Sequence, residues 1–469
     1  MDTALQSIEQ LAQIHLDDLL NHYHKGVIDP VQVHDLTVAQ IERVNPEINA
    51  LYDLNFKATR LEAEASAKRW KTSSTIGALD GIPVSIKDSI HAVGMHWHHG
   101  SAAHAAGHIG KEDAPPVEKL KQAGAIILAK STMPDYGMSA SGLSSYHGII
   151  RNPWSLYHSP GGSSAGAGAS LAAGIGLFAV GSDIAGSVRL PASHCGLAAI
   201  KPTQGMLAHT PASDIRSAGI MARSAQDLLT PFKALGGLHP RDRFSVPILE
   251  RALFAKAKVK CYADFGFGPN VDAEVLLQFE RACQCLAQQG MTLSAGDFRY
   301  SFDAYAAIDD VFKLRAWNEY QQAPADYRDQ TPEKLIDWFK PAATWNARKV
   351  CQFQADIAKG IEETQQLFAD ADYLITPVMT VVNFPATQLG PDENMPLRHC
   401  TFTAPFNQSG HPAVVIHAGL SLQGLPIGIQ LVAKRFDDLA LIALAVKLEN
   451  SLREQGVVAW PTQPYAGIK

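Results

Sequence analysis

Serines on two glycine-rich segments are the residues of this sequence whose type and spacing favour nucleophilic chemistry. The first segment reads GGSSAG at residues 161–166, and the second reads GSDIAGSVR at residues 181–189. A serine becomes a nucleophile where a base reaches its hydroxyl and backbone N–H groups meet the oxyanion that develops on the substrate. Glycines allow such close backbone approach, so Ser163, Ser164 and Ser187 are candidates.

Ser164 also fits a second pattern, because residues 162–166 satisfy the G-x-S-x-G rule of a nucleophile elbow. An elbow follows directly on a strand. Here NPWS at residues 152–155 and SP at 159–160 precede the motif, and these are turn-forming residues. The pattern therefore argues weakly for Ser164 as the nucleophile.

The composition restricts the classes of protein to consider. The 469 residues are 46% hydrophobic and 18% charged, with a net charge of -6, which is typical of globular proteins and argues against binding nucleic acid through a basic surface. The sequence has no continuous apolar stretch of membrane-spanning length, so we expect a cytoplasmic protein that makes no membrane contact. Its six cysteines form no C-x-x-C pair, which argues against a disulfide framework or structural zinc.

Hydrophobic periodicity predicts alternating helices and strands, the pattern of the α/β class. Helices are predicted at residues 29–44, 61–70, 115–123, 165–173, 273–289, 311–322 and 439–452, and strands at 82–86, 125–129, 177–180, 372–377, 413–417 and 425–433. The first 75 residues are predicted to form two or three helices. The strand at 82–86 would deliver Lys87 and Asp88 at its end, where an ordinary surface lysine would pair with the neighbouring aspartate.

Residues 161–203 resemble the signature block of the amidase signature family. Segments at residues 79–88, 124–130, 151–154, 374–377, 402–407 and 424–428 also resemble family segments, in the family's order. The resemblance implies a single large α/β/α domain in which helices cover a mixed β-sheet. We therefore expect a helical segment at residues 1–75 packed on the core, and an amidase signature domain at residues 76–469 with a more variable helical region at about 235–365.

The same resemblance implies a role for three side chains. Ser187 takes the position of the nucleophile, Ser163 that of a bridging serine preceded by a cis peptide bond, and Lys87 that of the base. A lysine serves as a base only if burial lowers its pKa enough for the neutral amine to be present. The implied reaction is hydrolysis of a carboxylic acid amide through an acyl-enzyme at Ser187, with no cofactor and no metal.

The resemblance further implies which residues support these three. Backbone N–H groups of four consecutive residues would form the oxyanion hole, namely Ile184, Ala185, Gly186 and Ser187. Three side chains would hold the loops in place, namely Ser164, Asp183 and Arg189. Ala185 stands where the family usually has a glycine, and a methyl group there is compatible with an N–H donor only if φ is negative.

Three functional hypotheses follow. The first is a free-standing hydrolase of a small-molecule amide, with a homodimer as the default oligomer. The second is the A subunit of a glutamine-dependent tRNA amidotransferase, but such subunits usually carry a Gly-Thr-Tyr segment and a tyrosine-rich helix, whereas residues 329–340 read DQTPEKLIDWFK. The third is an inactive scaffold, against which the retained Lys87, Ser163 and Ser187 argue. None of these hypotheses identifies the acyl group.

A histidine cluster, MHWHH at residues 95–99, raises the question of a metal site. Adjacent residues of a strand point to opposite faces, and no acidic or cysteine partner lies at ligand spacing in the sequence. We therefore expect these histidines to lie on a loop near the mouth of the site rather than to bind a metal.

Overall fold

The computed structural model describes residues 7–251 and 256–456. Its helices are α1 (Ile8–Gln13), α2 (Leu16–Lys25), α3 (Pro30–Ile48), α4 (Phe56–Lys71), α5 (Pro115–Gln122), α6 (Ala165–Ala172), α7 (Arg189–Cys195), α8 (Leu229–Leu235), α9 (Ala273–Gln288), α10 (Ala304–Gln322), α11 (Ala325–Arg328), α12 (Glu333–Phe339), α13 (Ala347–Gln366), α14 (Ala404–Gln408) and α15 (Asp438–Glu454). Its strands are β1 (Leu51–Tyr52), β2 (Pro83–Lys87), β3 (His96–Trp97), β4 (His108–Ile109), β5 (Ile126–Ser131), β6 (Leu143–Ser144), β7 (Gly148–Ile149), β8 (Phe178–Asp183), β9 (Ala198–Lys201), β10 (Ser217–Ala222), β11 (Lys258–Cys261), β12 (Thr292–Ala295), β13 (Tyr373–Pro377), β14 (Ala413–Leu420) and β15 (Pro426–Ala433).

An 11-stranded mixed sheet forms the centre of the molecule, in the order β1-β5-β2-β8-β10-β9-β14-β15-β13-β11-β12. Strand β2 runs parallel to β5 and β8, and β11 runs parallel to β12 and β13, while the other neighbours are antiparallel. The expected mixed sheet is confirmed, and so is the α/β class.

Alternating side chains along the strands divide the apolar core between the two faces of the sheet. Val84, Ile86 and Val180 belong to a core on one face, which α1, α2, α5, α8, α9 and α15 cover. Ala179 and Val415 belong to a core on the other face, which α6, α7, α10 and α12 cover. Helices thus lie on both faces, as the α/β/α prediction requires. The part of the chain that the structure describes contains no helix long and apolar enough to cross a membrane.

The expectation of two or three helices before residue 75 is wrong, because residues 7–75 contain the four helices α1 to α4 and the short strand β1. The prediction missed α1 and α2, whose buried residues Leu11, Leu16 and Leu19 join the core of the sheet. Strand β1 pairs with β5, so this segment also supplies an edge of the sheet. A separate unit at residues 1–75 stays a prediction, and residues 1–6 lie outside the described chain.

The region at about 235–365 is less purely helical than expected. It contributes β11 and β12 to one end of the sheet, in addition to α9 to α13. Each of these strands has four residues and is partly exposed, so neither carries the apolar run by which the inner strands were recognised. Buried residues of helices α10 and α12 belong to the core on the second face of the sheet.

Candidate active site

Lys87 is the last residue of β2 and is buried, with 1% of its surface exposed. Because Ile86 packs into the core of the first face, the alternation of the strand turns Lys87 toward the face that carries α6 and α7. Its Nζ donates to Ser163 Oγ at 2.7 Å and lies 3.4 Å from Ser182 Oγ. No carboxylate lies within 4.0 Å of this amine among the described residues.

Burial decides the charge state of this amine. Removing Lys87 from water lowers its pKa from 10.5 to about 7; the negative charge of Asp183 opposes this effect, and the positive charge of Arg216 adds to it. With an ordinary pKa, only about 0.03% of the amine would be neutral at pH 7. A pKa of about 7 makes about half of it neutral, so Lys87 can accept a proton under ordinary conditions.

Two tight loops bring the serines to the end of β2. Ser163 lies just before α6 and follows a cis peptide bond from Gly162, and Ser187 lies just before α7. The backbone N–H of Ser164 donates to Ser187 O at 3.0 Å, which ties the two loops together. Ser163 is 2% exposed, whereas Ser187 is partly exposed and open to a substrate. Among the described residues, the Ser187 hydroxyl has no hydrogen-bond partner.

Asp183 and Arg189 form a fully buried ion pair that holds the Ser187 loop. The guanidinium donates to both oxygens of Asp183, at 2.8 and 3.0 Å, and its remaining N–H groups bond to Thr403 O, Gln430 Oε1 and Asn407 Oδ1. Burial alone would raise the pKa of Asp183, but the charge and hydrogen bonds of Arg189 hold it well below its usual value. The carboxylate of Asp183 is therefore charged, and both side chains have hydrogen-bond partners.

The backbone of residues 184–187 supplies N–H donors next to Ser187. Four N–H donors to the oxyanion were expected. One of them, the N–H of Gly186, already donates to Asp183 Oδ1 at 2.7 Å. The N–H groups of Ile184, Ala185 and Ser187 have no acceptor among the described residues. Ala185 does not have a positive φ, so the backbone conformation accommodates its methyl group. Gly186 has φ +131°, and a Cβ there would lie 2.6 Å from Thr403 Oγ1.

The competing sequence interpretations fit this arrangement poorly. No strand directly precedes Ser164, whose buried hydroxyl lies 3.4 Å from Ser182 O, so the elbow geometry is absent. Ser164 occupies the N-cap position of α6 without capping the helix through its side chain. Asp88 does not pair with Lys87, because its carboxylate accepts hydrogen bonds from Tyr52 Oη and from the backbone N–H groups of His98 and Gly100.

The histidine cluster has an acidic partner that the sequence spacing did not indicate. Glu319 of α10 accepts a hydrogen bond from His99 Nδ1 at 2.8 Å and lies 3.9 Å from His104 Nε2. The possible ligand atoms of these three side chains all lie within 4.8 Å of one another. Within the described ranges, this is the group of side chains placed to hold a metal ion. The argument from missing acidic partners is thus wrong, although none of the three residues contacts Lys87 or either loop serine.

Several residues around the site were missed by the sequence analysis. Ser182 is a second hydroxyl beside Lys87, and its position in strand β8 was the signal available for it. Thr403 donates to Ala185 O at 2.5 Å, and Asn407 donates to Asp183 O at 3.0 Å. These two lie more than 200 residues from the loop they support; the resemblance of residues 402–407 to a family segment was the signal available for them, although it did not assign their contacts.

Comparison with known proteins finds relatives along most of the chain. A family model described as Amidase matches residues 33–442. One relative is the glutamyl-tRNA(Gln) amidotransferase A chain of Desulfosudis oleivorans, which is 30% identical over 470 residues, covering 91% of this chain and 95% of that protein. Its counterpart in Geobacter metallireducens is 28% identical over 497 residues and covers 98% and 100%.

Solved structures share the fold over nearly the whole chain. A 6-aminohexanoate cyclic dimer hydrolase is 26% identical with a TM-score of 0.82, covering 94% of this chain and 97% of that one. A bacterial aryl acylamidase of the amidase signature family has a TM-score of 0.88 at 21% identity and covers 100% of both chains.

The buried ion pair leads to a prediction about stability. Arg189→Met removes the partner of a fully buried carboxylate, so we expect the free energy of unfolding to fall by about 3–5 kcal/mol. The control is Arg299→Met, which breaks the exposed pair with Asp264 and should cost less than about 1 kcal/mol. Urea denaturation measures both. Equal losses in the two variants would contradict the structural role of the buried pair.

Proposed function

Because the chain belongs to the amidase family, whose members act on the carbon–nitrogen bonds of amides, we propose that it hydrolyses a small carboxylic amide without a partner protein. The observation that carries this proposal is the 2.7 Å contact between the buried amine of Lys87 and the hydroxyl of Ser163. A neutral amine held against a serine, beside a second serine that is open to solvent, is an arrangement suited to acyl transfer.

In the proposed acylation step, Ser187 Oγ attacks the amide carbonyl and passes its proton to Ser163 Oγ. Ser163 gives its own proton to the neutral Lys87 amine, which becomes an ammonium group. The negative charge that forms on the carbonyl oxygen is stabilised by the N–H groups of Ile184, Ala185 and Ser187. Gly186, which the sequence also suggested as a donor, instead holds the loop through its bond to Asp183.

The remaining steps return the enzyme to its starting state. The Lys87 ammonium sends its proton back through Ser163 to the leaving nitrogen, so that ammonia or an amine departs and an ester remains on Ser187. Water then attacks this ester, again with Lys87 as the base acting through Ser163. The carboxylic acid leaves, and Ser187 regains its proton. None of these steps assigns a task to a metal or cofactor.

A component of a tRNA amidotransferase is the second candidate, because the curated relatives in the comparison carry that name. The lack of a Gly-Thr-Tyr segment at residues 329–340 favours the free-standing enzyme instead. In the structure this stretch contains α12, whose Leu335, Trp338 and Phe339 are buried in the second core. This helix therefore packs inward, against the body of the enzyme.

The nucleophile assignment is tested by comparing two serines. Ser187→Ala should lower amide hydrolysis at least about 10⁴-fold, because the attacking oxygen is lost while little packing changes. Ser164→Ala should keep activity within about tenfold, since its hydroxyl makes one long contact. Ammonia release measures activity, and circular dichroism checks the fold. An inactive Ser164→Ala beside an active Ser187→Ala would restore the elbow interpretation.

The base assignment predicts a pH dependence. The working form of Lys87 is neutral, so kcat/KM should rise about tenfold per pH unit below about pH 7, then level off as the amine loses its proton. Lys87→Met should lower the rate by several orders of magnitude and remove this rise. A rate that still climbs steeply between pH 8 and 10 in the wild type would contradict a lowered pKa.

The choice between hydrolase and amidotransferase is tested by partner dependence. We expect the purified chain alone to release ammonia from simple amides, without tRNA, ATP or another protein. The assay compares several amides, glutamine included, with and without candidate partner proteins. Release that appears only with partner, ATP and charged tRNA would replace the free-standing hydrolase with the amidotransferase.

A further inference from the structure

Arg216 reaches the same end of the sheet as the candidate catalytic residues, although the reaction proposed above does not use it. It directly precedes β10, whose first residue, Ser217, pairs with Asp183 at the end of β8. Asn407 donates to the backbone oxygens of both Asp183 and Ile215, at 3.0 and 3.4 Å. The backbone therefore fixes Arg216 beside the loop that carries Ser187.

The guanidinium of Arg216 lacks a protein counter-ion. Its Nη2 donates to Pro211 O at 3.0 Å, while its buried Nε has no hydrogen-bond partner among the described residues. In the same described ranges, no carboxylate lies within 4.0 Å of it. The positive charge of Arg216 acts on Lys87 and helps to lower the pKa of that amine.

Arg315 carries a second guanidinium, on α10 one turn before Glu319. Glu319 is engaged by His99, which follows β3, and His99 O accepts a hydrogen bond from the N–H of Tyr136 at 2.7 Å. A Cβ on the next residue, Gly137, would lie 3.3 Å from Ser163 Oγ, so this part of α10 lies near the catalytic serines. The buried Nε of Arg315 also has no hydrogen-bond partner, and no carboxylate lies within 4.0 Å in the described part of the chain. Burial and the charge of Arg315 together lower the pKa of Arg216 to about 10, so the two guanidinium groups act on each other.

Two like charges with buried, unpartnered donors are unfavourable unless an anion joins them. The acids that act on this pair, Glu319, Asp242 and Asp214, all lie beyond ion-pair distance, and Asp242 accepts from the backbone of His209 and Phe244. A carboxylate fits the forked donors of arginine better than a neutral group does, because it accepts charge-assisted hydrogen bonds from both.

We propose that Arg216 and Arg315 form a subsite for a carboxylate on the substrate, so that the enzyme prefers amides that carry a second, anionic group. The proposal rests on the amide hydrolysis proposed above and adds the class of substrate to it. The carboxylate would lie between β10 and α10 while the amide carbonyl meets Ser187. The region that supplies Arg315 has no part in the signature block, which explains why the sequence motifs did not reveal the substrate.

The test compares two series of amides. The anionic series consists of succinamate, glutaramate and adipamate, and in the neutral series an isopropyl group of matching shape replaces each carboxylate. We expect kcat/KM for the preferred half-amide to exceed that of its neutral counterpart by about 100-fold or more. Arg216→Gln and Arg315→Gln should each lower this ratio about 10- to 100-fold, mainly through KM, since each removes a charged hydrogen bond.

Two further variants control for general effects. Arg281→Gln, on the exposed surface of α9, removes the same charge and should leave the ratio unchanged. Arg216→Lys should recover part of the preference because it keeps the charge. Arg216→Gln should also move the acid limb of the pH profile to higher pH. The substitution removes a positive charge that acts on Lys87 and leaves the negative charges of Asp183 and Asp88, so the pKa of Lys87 should rise. A purely structural effect would not move that limb.

Binding separates this proposal from the proposed reaction. Calorimetry with glutaramate and the Ser187→Ala protein should show binding that Arg216→Gln and Arg315→Gln abolish. If that binding appears without hydrolysis of any amide, the subsite stands and the proposed reaction fails. If neutral amides are hydrolysed as well as the half-amides, or if the arginine substitutions leave the ratio and the binding unchanged, the carboxylate subsite is wrong.

Discussion

A buried lysine amine with no carboxylate within 4.0 Å among the described residues is the feature on which the site depends. Lys87 ends a strand that lies between β5 and β8, and its amine meets hydroxyl groups in place of a counter-ion. Burying a lone amine costs free energy, which lowers its pKa and leaves it neutral near pH 7. The packing of the large sheet and its two helical layers offsets this cost. The folded protein therefore holds Lys87 as a neutral amine, whereas the unfolded chain would hold it as an ammonium ion.

Two buried carboxylates near the site, those of Asp183 and Asp88, are by contrast fully engaged by hydrogen bonds. Arg189 and Asp183 are paired and fully hydrogen-bonded, and Asp88 is held by backbone N–H groups beside the same strand. These groups keep their ordinary charges and fix the loops. Lys87, Arg216 and Arg315 lack carboxylates within ion-pair distance among the described residues. The paired groups thus fix the loops of the site, and the two arginines are the groups proposed to meet the substrate.

The sequence predicts those parts of the protein that local patterns encode. Periodicity located six inner strands and most long helices but missed β9 and β10, and the resemblance of residues 161–203 to the signature block singled out Ser163 and Ser187. Patterns failed where contacts join distant segments. Glu319 meets His99 across 220 residues, and the charge of Arg315 acts on Arg216 from a helix with no motif. The N–H of Gly186 donates to Asp183, and this contact depends on side-chain geometry that residue spacing in the sequence does not determine.

Direct titration of Lys87 tests the central claim most closely. The measurement is NMR of the Ser187→Ala protein carrying ¹³C at the lysine ε-carbon, with Lys87→Met used to assign the signal. The account predicts that the signal assigned to Lys87 titrates near pH 7, as the buried Lys201 also does, well below the reference value of about 10.4 for a lysine in water. A Lys87 signal that titrates with the exposed lysines would show a charged amine at neutral pH, and the relay through Ser163 would then lack its base.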